Sequence, residues 1–206
     1  MKRKHAAIGI AFVAALAVAP ALAQMQPQGP KPERVSGVIE KVDGHTVTAK
    51  SAKGDEVKLN LADKVSVTVV VKASLSDIKP GDFIGSGAMP QPDGTQKAIE
   101  VHIFPESMRG TGEGFHPWNR PGSTMTNGTV GATVSGVTGQ TISVAYKGGQ
   151  QKIVVPPGVP VVRFEPGDMS ALKPGAAFAV FAAVKQPDGS FNVARINVGS
   201  GGAAPP

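Results

Sequence analysis

Two short motifs occur twice in this chain and in the same order. Ile78-Lys79-Pro80-Gly81 returns as Leu172-Lys173-Pro174-Gly175, and Gln91-Pro92-Asp93-Gly94 returns unchanged as Gln186-Pro187-Asp188-Gly189. The copies are 94 residues apart for the first motif and 95 for the second. Spacing this regular indicates an internal duplication. The two copies span residues 34–104 and 129–199.

Each copy has the sequence pattern of short β-strands. Val57, Leu59 and Leu61 alternate with polar residues, which is typical of a strand with one buried face. Asp43-Gly44 and the Pro-Asp-Gly triplets are hairpin turn signals. Ser74–Ile78 favours a single helical turn. At the start of the copies, the repeat spacing of 95 aligns Val35 with Val130.

The order of these elements predicts an all-β fold. Three meandering strands, a helical turn and a hairpin match an oligonucleotide/oligosaccharide-binding (OB) barrel. We therefore expect two tandem OB-like barrels of five to six strands, with a Greek-key or sandwich variant as the alternative. Residues 105–128 form an irregular linker on this interpretation. The segments 24–33 and 200–206 are rich in Pro, Gly or Gln and are expected to be disordered.

The first 23 residues have the pattern of a Sec-type signal peptide. Lys2, Arg3 and Lys4 precede an apolar stretch from Ile8 to Ala19, and Ala21-Leu22-Ala23 is a small-x-small cleavage site. Cleavage after Ala23 predicts a periplasmic or secreted protein without a remaining membrane span. The alternative is an uncleaved N-terminal anchor.

Composition narrows the functional classes. The chain has 21 Lys and Arg against 15 Asp and Glu, and removal of three basic residues with the signal peptide leaves 18 against 15. So mild a charge argues against a nucleic-acid partner. The chain has no Cys, which excludes thiolate catalysis and disulfides. Ser123 and Thr124 lack a nucleophile-elbow motif, so we expect no enzymatic activity.

The pattern resembles the family of domains of unknown function numbered 5666. The matching pieces are Gly37-Val38-Ile39, Leu75–Asp82 and Asp93-Gly94, and the second copy departs with Ala176 where the first has Asp82. Exported proteins with a similar two-copy layout carry labels that refer to metal-transport permeases. The resemblance implies a small β-domain and, at most, a link to metal transport.

The linker contains the most distinctive side chains of the chain. Phe115, His116 and Trp118, the only Trp, are flanked by Arg109 and Arg120. Aromatic faces and guanidinium donors could bind a small anionic or sugar-like ligand. The alternative, which we favour, is that Phe115 and Trp118 fill the gap between the two barrels.

A metal site is a further candidate, although no cofactor is otherwise expected. His102 and His116, with nearby carboxylates such as Glu100, could bind zinc, nickel or copper. No established ligand spacing supports the pair. The leading hypothesis is thus a non-catalytic interaction protein that binds another envelope component. The alternative is a protein that binds a metal ion or small anion at the linker.

Overall fold

The computed structural model describes residues 31–136 and 139–206, and almost all regular structure in them is β. The strands are β1 Glu33–Asp43, β2 Thr46–Ser51, β3 Glu56–Ala73, β4 Phe83–Pro90, β5 Gln96–Ile103, β6 Gly114–Pro117, β7 Thr124–Gly136, β8 Gly139–Tyr146, β9 Gly149–Val155, β10 Val161–Gly167, β11 Ala177–Lys185 and β12 Phe191–Gly199. Three 3₁₀ turns lie at Leu75–Asp77, Glu106–Met108 and Met169–Ala171. The all-β prediction is confirmed.

Five strands close into a barrel, which we call the first barrel. β1 pairs with β2, β2 with β3, β3 with β12, β12 with β11, and β11 with β1. All these pairs are antiparallel except β3 and β12, which run parallel. Closure removes the free edges that a small sheet would otherwise expose.

A further set of strands, which we call the second ring, repeats this pattern. β7 pairs with β8, β8 with β9, β9 with β5, β5 with β4, and β4 with β7. The parallel closing pair is short, with Gln96 opposite Ile153 and Lys97 opposite Val154. The second ring is therefore closed by fewer backbone contacts than the first barrel.

The boundaries 34–104 and 129–199 predict one separate barrel for each copy. In the structure, each ring instead takes strands from both copies. The first barrel contains β1–β3 of the first copy and the β11–β12 hairpin of the second. The second ring contains β7–β9 of the second copy and the β4–β5 hairpin of the first. Each copy thus contributes its hairpin to the ring that the other copy begins.

An approximate two-fold axis passes between β3 and β10. These strands pair antiparallel, and Val70 lies opposite Phe164. The two residues are 94 positions apart, which is also the spacing of the Lys-Pro-Gly motifs. The parallel pair of β10 with β5 corresponds to the parallel pair of β3 with β12. Each copy therefore places its hairpin against the third strand of the other copy in the same way.

The first strands of the copies align differently from the sequence expectation, which matched Val35 with Val130. In the structure the counterpart of Val38 is Thr129, 91 positions later. Val38 lies opposite Lys50 and Ala177, and Thr129 lies opposite Ala145 and Phe83. The shift arises because the β7–β8 hairpin extends two residue pairs, Ser135–Gln140 and Gly136–Gly139, beyond Val134–Thr141, the counterpart of the last β1–β2 pair, Asp43–Thr46.

Both rings have cores built from both copies. The first barrel buries Ile39, Leu59, Phe178 and Ile196 together, and the second ring buries Ile84, Val101, Ile142 and Ile153. Burial of each such side chain contributes about 1.5–3 kcal/mol. A smaller cluster includes Val70, Val162 and Phe164. The ring of Phe104 packs edge-on against the ring of Phe164, with the two centroids 5.1 Å apart. The cores hold the exchanged hairpins in place.

The C-terminal segment 200–206 is ordered, in contrast to the expectation of disorder. Ser200 N–H donates to the carbonyl oxygen of Val70 at 2.9 Å, and a turn follows at Gly201 and Gly202. Ala203 is buried against Phe164 and its neighbours. Arg34 donates to the carbonyl oxygen of Pro206. The tail is held by the junction of the two rings.

The expected signal peptide, residues 1–23, lies outside the described residues, as does most of the segment 24–33. In the part of the chain that the structure describes, no helix has the length and apolar character needed to cross a membrane.

Candidate functional site

The linker is not irregular, because its middle forms strand β6. Gly114–Pro117 pairs antiparallel with the first residues of β7, and Phe115 lies opposite Thr126. The turn from β6 into β7 is closed by Trp118 N–H, which donates to Ser123 O at 2.9 Å. The linker is thus a hairpin arm on the second ring.

Trp118 packs flat against β4 rather than between the two rings. A Cβ atom added to Gly87 would lie 2.3–2.8 Å from the six-membered part of the Trp118 indole. The ring therefore needs glycine beneath it. The guanidinium carbon of Arg120 lies 5.9 Å from the centroid of the indole. The gap between the rings is filled instead by Phe104 and Phe164.

Arg109 uses its donors within the protein. Its guanidinium makes two hydrogen bonds to the Glu106 carboxylate, at 2.6 and 2.7 Å, and a third to Gly81 O at 3.0 Å. A weaker contact of 3.3 Å reaches Thr129 Oγ1. The hydrogen bonds with Arg109 lower the pKa of Glu106, and those with Glu106 raise the pKa of Arg109. Arg109 therefore anchors the linker to the second ring.

Phe115 and His116 are both exposed on β6. Phe115 has 39% of its surface exposed. The His116 Nε2 atom lies 3.1 Å from Gly112 O, and its ring covers the α-carbon side of Gly114. Of the five predicted ligand-binding residues, the structure brings Trp118 and Arg120 into contact and assigns Arg109 to a separate anchor.

His102 and His116, the predicted metal ligands, have different surroundings. His102 is buried on β5, with Nε2 2.7 Å from Glu100 Oε1 and its ring 5.4 Å from the Phe164 centroid. His116 lies on the exposed linker arm. Across residues 31–136 and 139–206, no three His, Asp or Glu side chains cluster as a metal site would require. The pair remains a prediction.

Sequence reasoning missed a buried polar patch beneath the linker. Thr126 and Ser86 lie opposite each other and are completely buried, and Thr126 Oγ1 has no hydrogen-bond partner within the described residues. Asn127 donates to Thr111 O at 3.1 Å, which fastens the linker from below. The available signal was Ser86, which interrupts the otherwise apolar strand Phe83–Met89.

It also missed an open face on the first barrel. The face is formed by β1 and β11, where Val38 is 44% exposed and Phe181 is 51% exposed. The Arg34 guanidinium carbon lies 4.6 Å from the Phe181 ring centroid. Beside Val38 is a groove of about 360 Å³, which we call the β1–β11 groove. Its lining is formed by Ser36, Gly37, Val38, Lys50, Ser51, Ala52, Ala177, Phe178, Ala204 and Pro205.

A second hollow, of about 430 Å³, lies between the Lys173–Ala176 turn and the tail residues Gly199–Gly202. It is lined mostly by small residues and backbone. The β1–β11 groove differs because it adjoins exposed apolar side chains.

Comparison of the chain with protein families, curated proteins and solved structures gives no match.

Proposed function

We propose that this chain is an exported, non-catalytic interaction protein that binds an envelope partner through the β1–β11 face. The observation that carries the proposal is the unequal cover of the two rings. On the second ring the linker arm covers β4 and β7, whereas the corresponding strands of the first barrel leave Val38 and Phe181 exposed. Exposed apolar side chains beside a groove are typical of an interaction site.

The linker is the weaker candidate for the binding surface. The donors of Arg109 are engaged with Glu106 and Gly81, and one face of Trp118 packs on Gly87. These contacts give the linker a structural role on the second ring. On the β1–β11 face the tail residues Ala204 and Pro205 line one side of the groove, but Val38 and Phe181 stay exposed, so this is the surface that we assign to binding.

We also propose that both rings are OB-like barrels. In each ring the three meandering strands are followed by a hairpin whose last strand runs parallel to the third. This order supports two OB-like barrels with exchanged hairpins, and with it the resemblance to the family of domains of unknown function numbered 5666. OB-like barrels present loops and sheet faces to partners, which agrees with an interaction role.

Site-specific photocrosslinking in the producing cells tests the proposal. A photoreactive phenylalanine analogue at Phe181 should give a discrete adduct, and the same analogue at Phe115 should not. The adduct at position 181 should disappear when Val38→Asp is introduced into the same chain. Adducts at position 115 alone, or an adduct at 181 that persists with Val38→Asp, would refute binding through this face.

The export part of the proposal has its own measurement. The protein should be found in the periplasmic or secreted fraction with Gln24 as its first residue. A cytoplasmic protein that retains residues 1–23 would contradict it.

A further inference from the structure

The tail, residues 200–206, folds back over the strand that it follows. A Cβ atom added to Gly199, the last residue of β12, would lie 1.9 Å from Ala203 O and 3.4 Å from Pro205 Cδ. The three atoms nearest to that position all belong to the tail, and Ala203 is itself buried. The tail therefore lies directly on β12 and needs a glycine beneath it.

The far end of the tail lies at the β1–β11 groove. Ala204 and Pro205 line this groove together with Ser36 of β1. Arg34, two residues earlier on β1, donates to the carbonyl oxygen of Pro206. Because β11 lies between β12 and β1 in the sheet, the tail crosses β11 on its way from one strand to the other.

The burial of one residue of β11 agrees with this crossing. Phe178 and Val180 point into the barrel core, so Ala179 between them points outward. Ala179 lies opposite Ser36, which places it on the path of the tail. Its exposed fraction is 0%, whereas Phe181 on the same side of β11 is 51% exposed. The tail therefore covers the part of the β1–β11 face that adjoins Phe181.

The linker crosses the second ring in a similar way, but more hydrogen bonds hold it there. The linker follows β5 as the tail follows β12. Side-chain hydrogen bonds of Arg109, Asn127 and Glu113 fasten the linker to the ring. Among the described residues, the side-chain hydrogen bond that reaches the tail is that of Arg34. Segments with fewer such contacts open at a lower free energy, so the tail is the more easily released of the two.

Arg34 connects the tail with the exposed aromatic side chain of the face. Its guanidinium carbon lies 4.6 Å from the Phe181 ring centroid, and the same guanidinium donates to the carbonyl oxygen of Pro206. A partner that binds over Phe181 and uses this donor must take it from the tail. Contact with Ala179 also requires that the tail be displaced.

We propose that residues 203–206, which we call the cover, regulate binding at the β1–β11 face by docking on it and releasing it. This inference rests on the proposed function and adds its regulation. The docked cover leaves Val38 and Phe181 accessible, but it buries Ala179 and occupies Arg34. Release makes the whole face available. The partner and the docked cover compete, so the partner binds more weakly when fewer molecules have a released cover.

Two changes to the chain should release or remove the cover. Gly199→Ala places a methyl group where Ala203 O lies, and deletion of residues 203–206 removes the cover itself. Gly131→Ala is the matched control, because it is the same substitution at a site with ordinary contacts. In the isotope-labelled chain without residues 1–23, the heteronuclear NOE of the Ala203 and Ala204 amides should fall in Gly199→Ala and stay high in the control.

Thermal melts show whether the methyl group at position 199 acts through the cover. Gly199→Ala should lower the melting temperature of the chain that retains residues 203–206. The same substitution should have no effect once these residues are deleted, because the atoms that its Cβ would meet are then absent. Equal losses with and without the cover would overturn the inference.

Photocrosslinking in the producing cells measures the regulation. With the phenylalanine analogue at position 181, the adduct yield should rise by up to about fivefold in Gly199→Ala and in the deletion variant. This is the effect of losing one competing hydrogen bond of the kind that Arg34 makes to the tail. Gly131→Ala should give the yield of the unaltered chain.

An adduct that forms at position 181 with the same or a lower yield after deletion of residues 203–206 would overturn the regulation and leave the proposed function standing. Absence of the adduct from the unaltered chain and from both released variants would overturn the two together.

Discussion

Two glycines lie where neighbouring strands approach too closely for a side chain. A Cβ atom on Gly37 would lie 2.0 Å from the carbonyl oxygen of Lys50, and one on Gly128 would lie 2.4 Å from that of Ala145. Backbone atoms cannot move aside as a flexible side chain can. Gly128→Ala should therefore destabilise the protein by about 2 kcal/mol, as measured by denaturant unfolding.

Gly131→Ala is the matched control on the same strand. Its added Cβ would meet nothing closer than Ser143 O at 3.7 Å, which is ordinary contact. The change should alter stability by less than about 0.5 kcal/mol. Equal effects of the two substitutions would show that the close approach at Gly128 is not a constraint.

The aspartates of the two Pro-Asp-Gly turns make acid-sensitive contacts. Asp93 Oδ1 accepts hydrogen bonds from the hydroxyl and N–H of Thr95, and Asp188 Oδ1 does the same with Ser190. These bonds hold the pKa of both carboxyls below the ordinary value of 3.8. Their contribution to stability is thus complete above about pH 5 and is lost as the pH falls through the folded-state values.

Replacing both aspartates by asparagine removes this titration but keeps an oxygen that can accept the turn hydrogen bonds. We expect the Asp93→Asn and Asp188→Asn double variant to lose less melting temperature than the unaltered protein between about pH 5 and pH 2. Thermal melts across this range provide the measurement. Parallel pH profiles would contradict the assignment.

At the scale of elements, the linker arm and β4 depend on each other. A side chain at position 87 would displace the Trp118 indole, whose nearest atom lies 2.3 Å from the added Cβ position. Because Trp118 is the only tryptophan, Gly87→Ala should shift the emission of the protein to the red. Gly131→Ala, the same change at a site with ordinary contacts, should leave the emission where it is. Unchanged emission in Gly87→Ala would mean that the indole is not held on β4.

The elements that the sequence predicted are those with local causes. Turns at Pro92-Asp93-Gly94 and its copy form where glycine adopts positive φ, +81° at Gly94 and +86° at Gly189. The expected helical turn after Ser74 is a 3₁₀ turn over Leu75–Asp77, held by Asp77 accepting from Ser74 N–H at 2.8 Å. Residue types and short-range hydrogen bonds decide these features, so they can be read from the chain.

The elements that the sequence missed have distant causes. Strand β6 has no alternating pattern, and it exists because the edge of β7 offers backbone partners and Gly87 offers a surface for Trp118. The open β1–β11 face escaped notice for a related reason. Alternation identifies which side chains of β1 point outward, but it does not reveal that the linker covers one ring and leaves Val38 exposed on the other.

At the scale of the whole molecule, the hairpin exchange could not be predicted from the repeat. Each copy supplies a three-stranded meander and a hairpin, and the hairpin residues now buried, such as Ile84 and Phe178, would face a ring core in either arrangement. Hydrophobic patterning is therefore identical for exchanged and separate barrels. The pairing of β3 with β10 favours exchange, because it holds the two copies side by side at Val70 and Phe164.

Engineered disulfides distinguish the two arrangements, since the chain has no cysteine of its own. Val38 lies opposite Ala177 on the exchanged hairpin, whereas separate barrels would place Phe83 in that position. Residues opposite each other on antiparallel strands have Cα atoms about 4.5–5.5 Å apart, which a disulfide can span.

We expect the Val38→Cys and Ala177→Cys double variant to form an intrachain disulfide under mild oxidation, identified by peptide mapping of the monomer. The Val38→Cys and Phe83→Cys double variant should stay reduced under the same conditions, because its two cysteines belong to different rings. A disulfide in the second variant and none in the first would mean that each copy closes its own barrel. The β1–β11 face would then not exist, because β11 would pair with β7 instead of with β1.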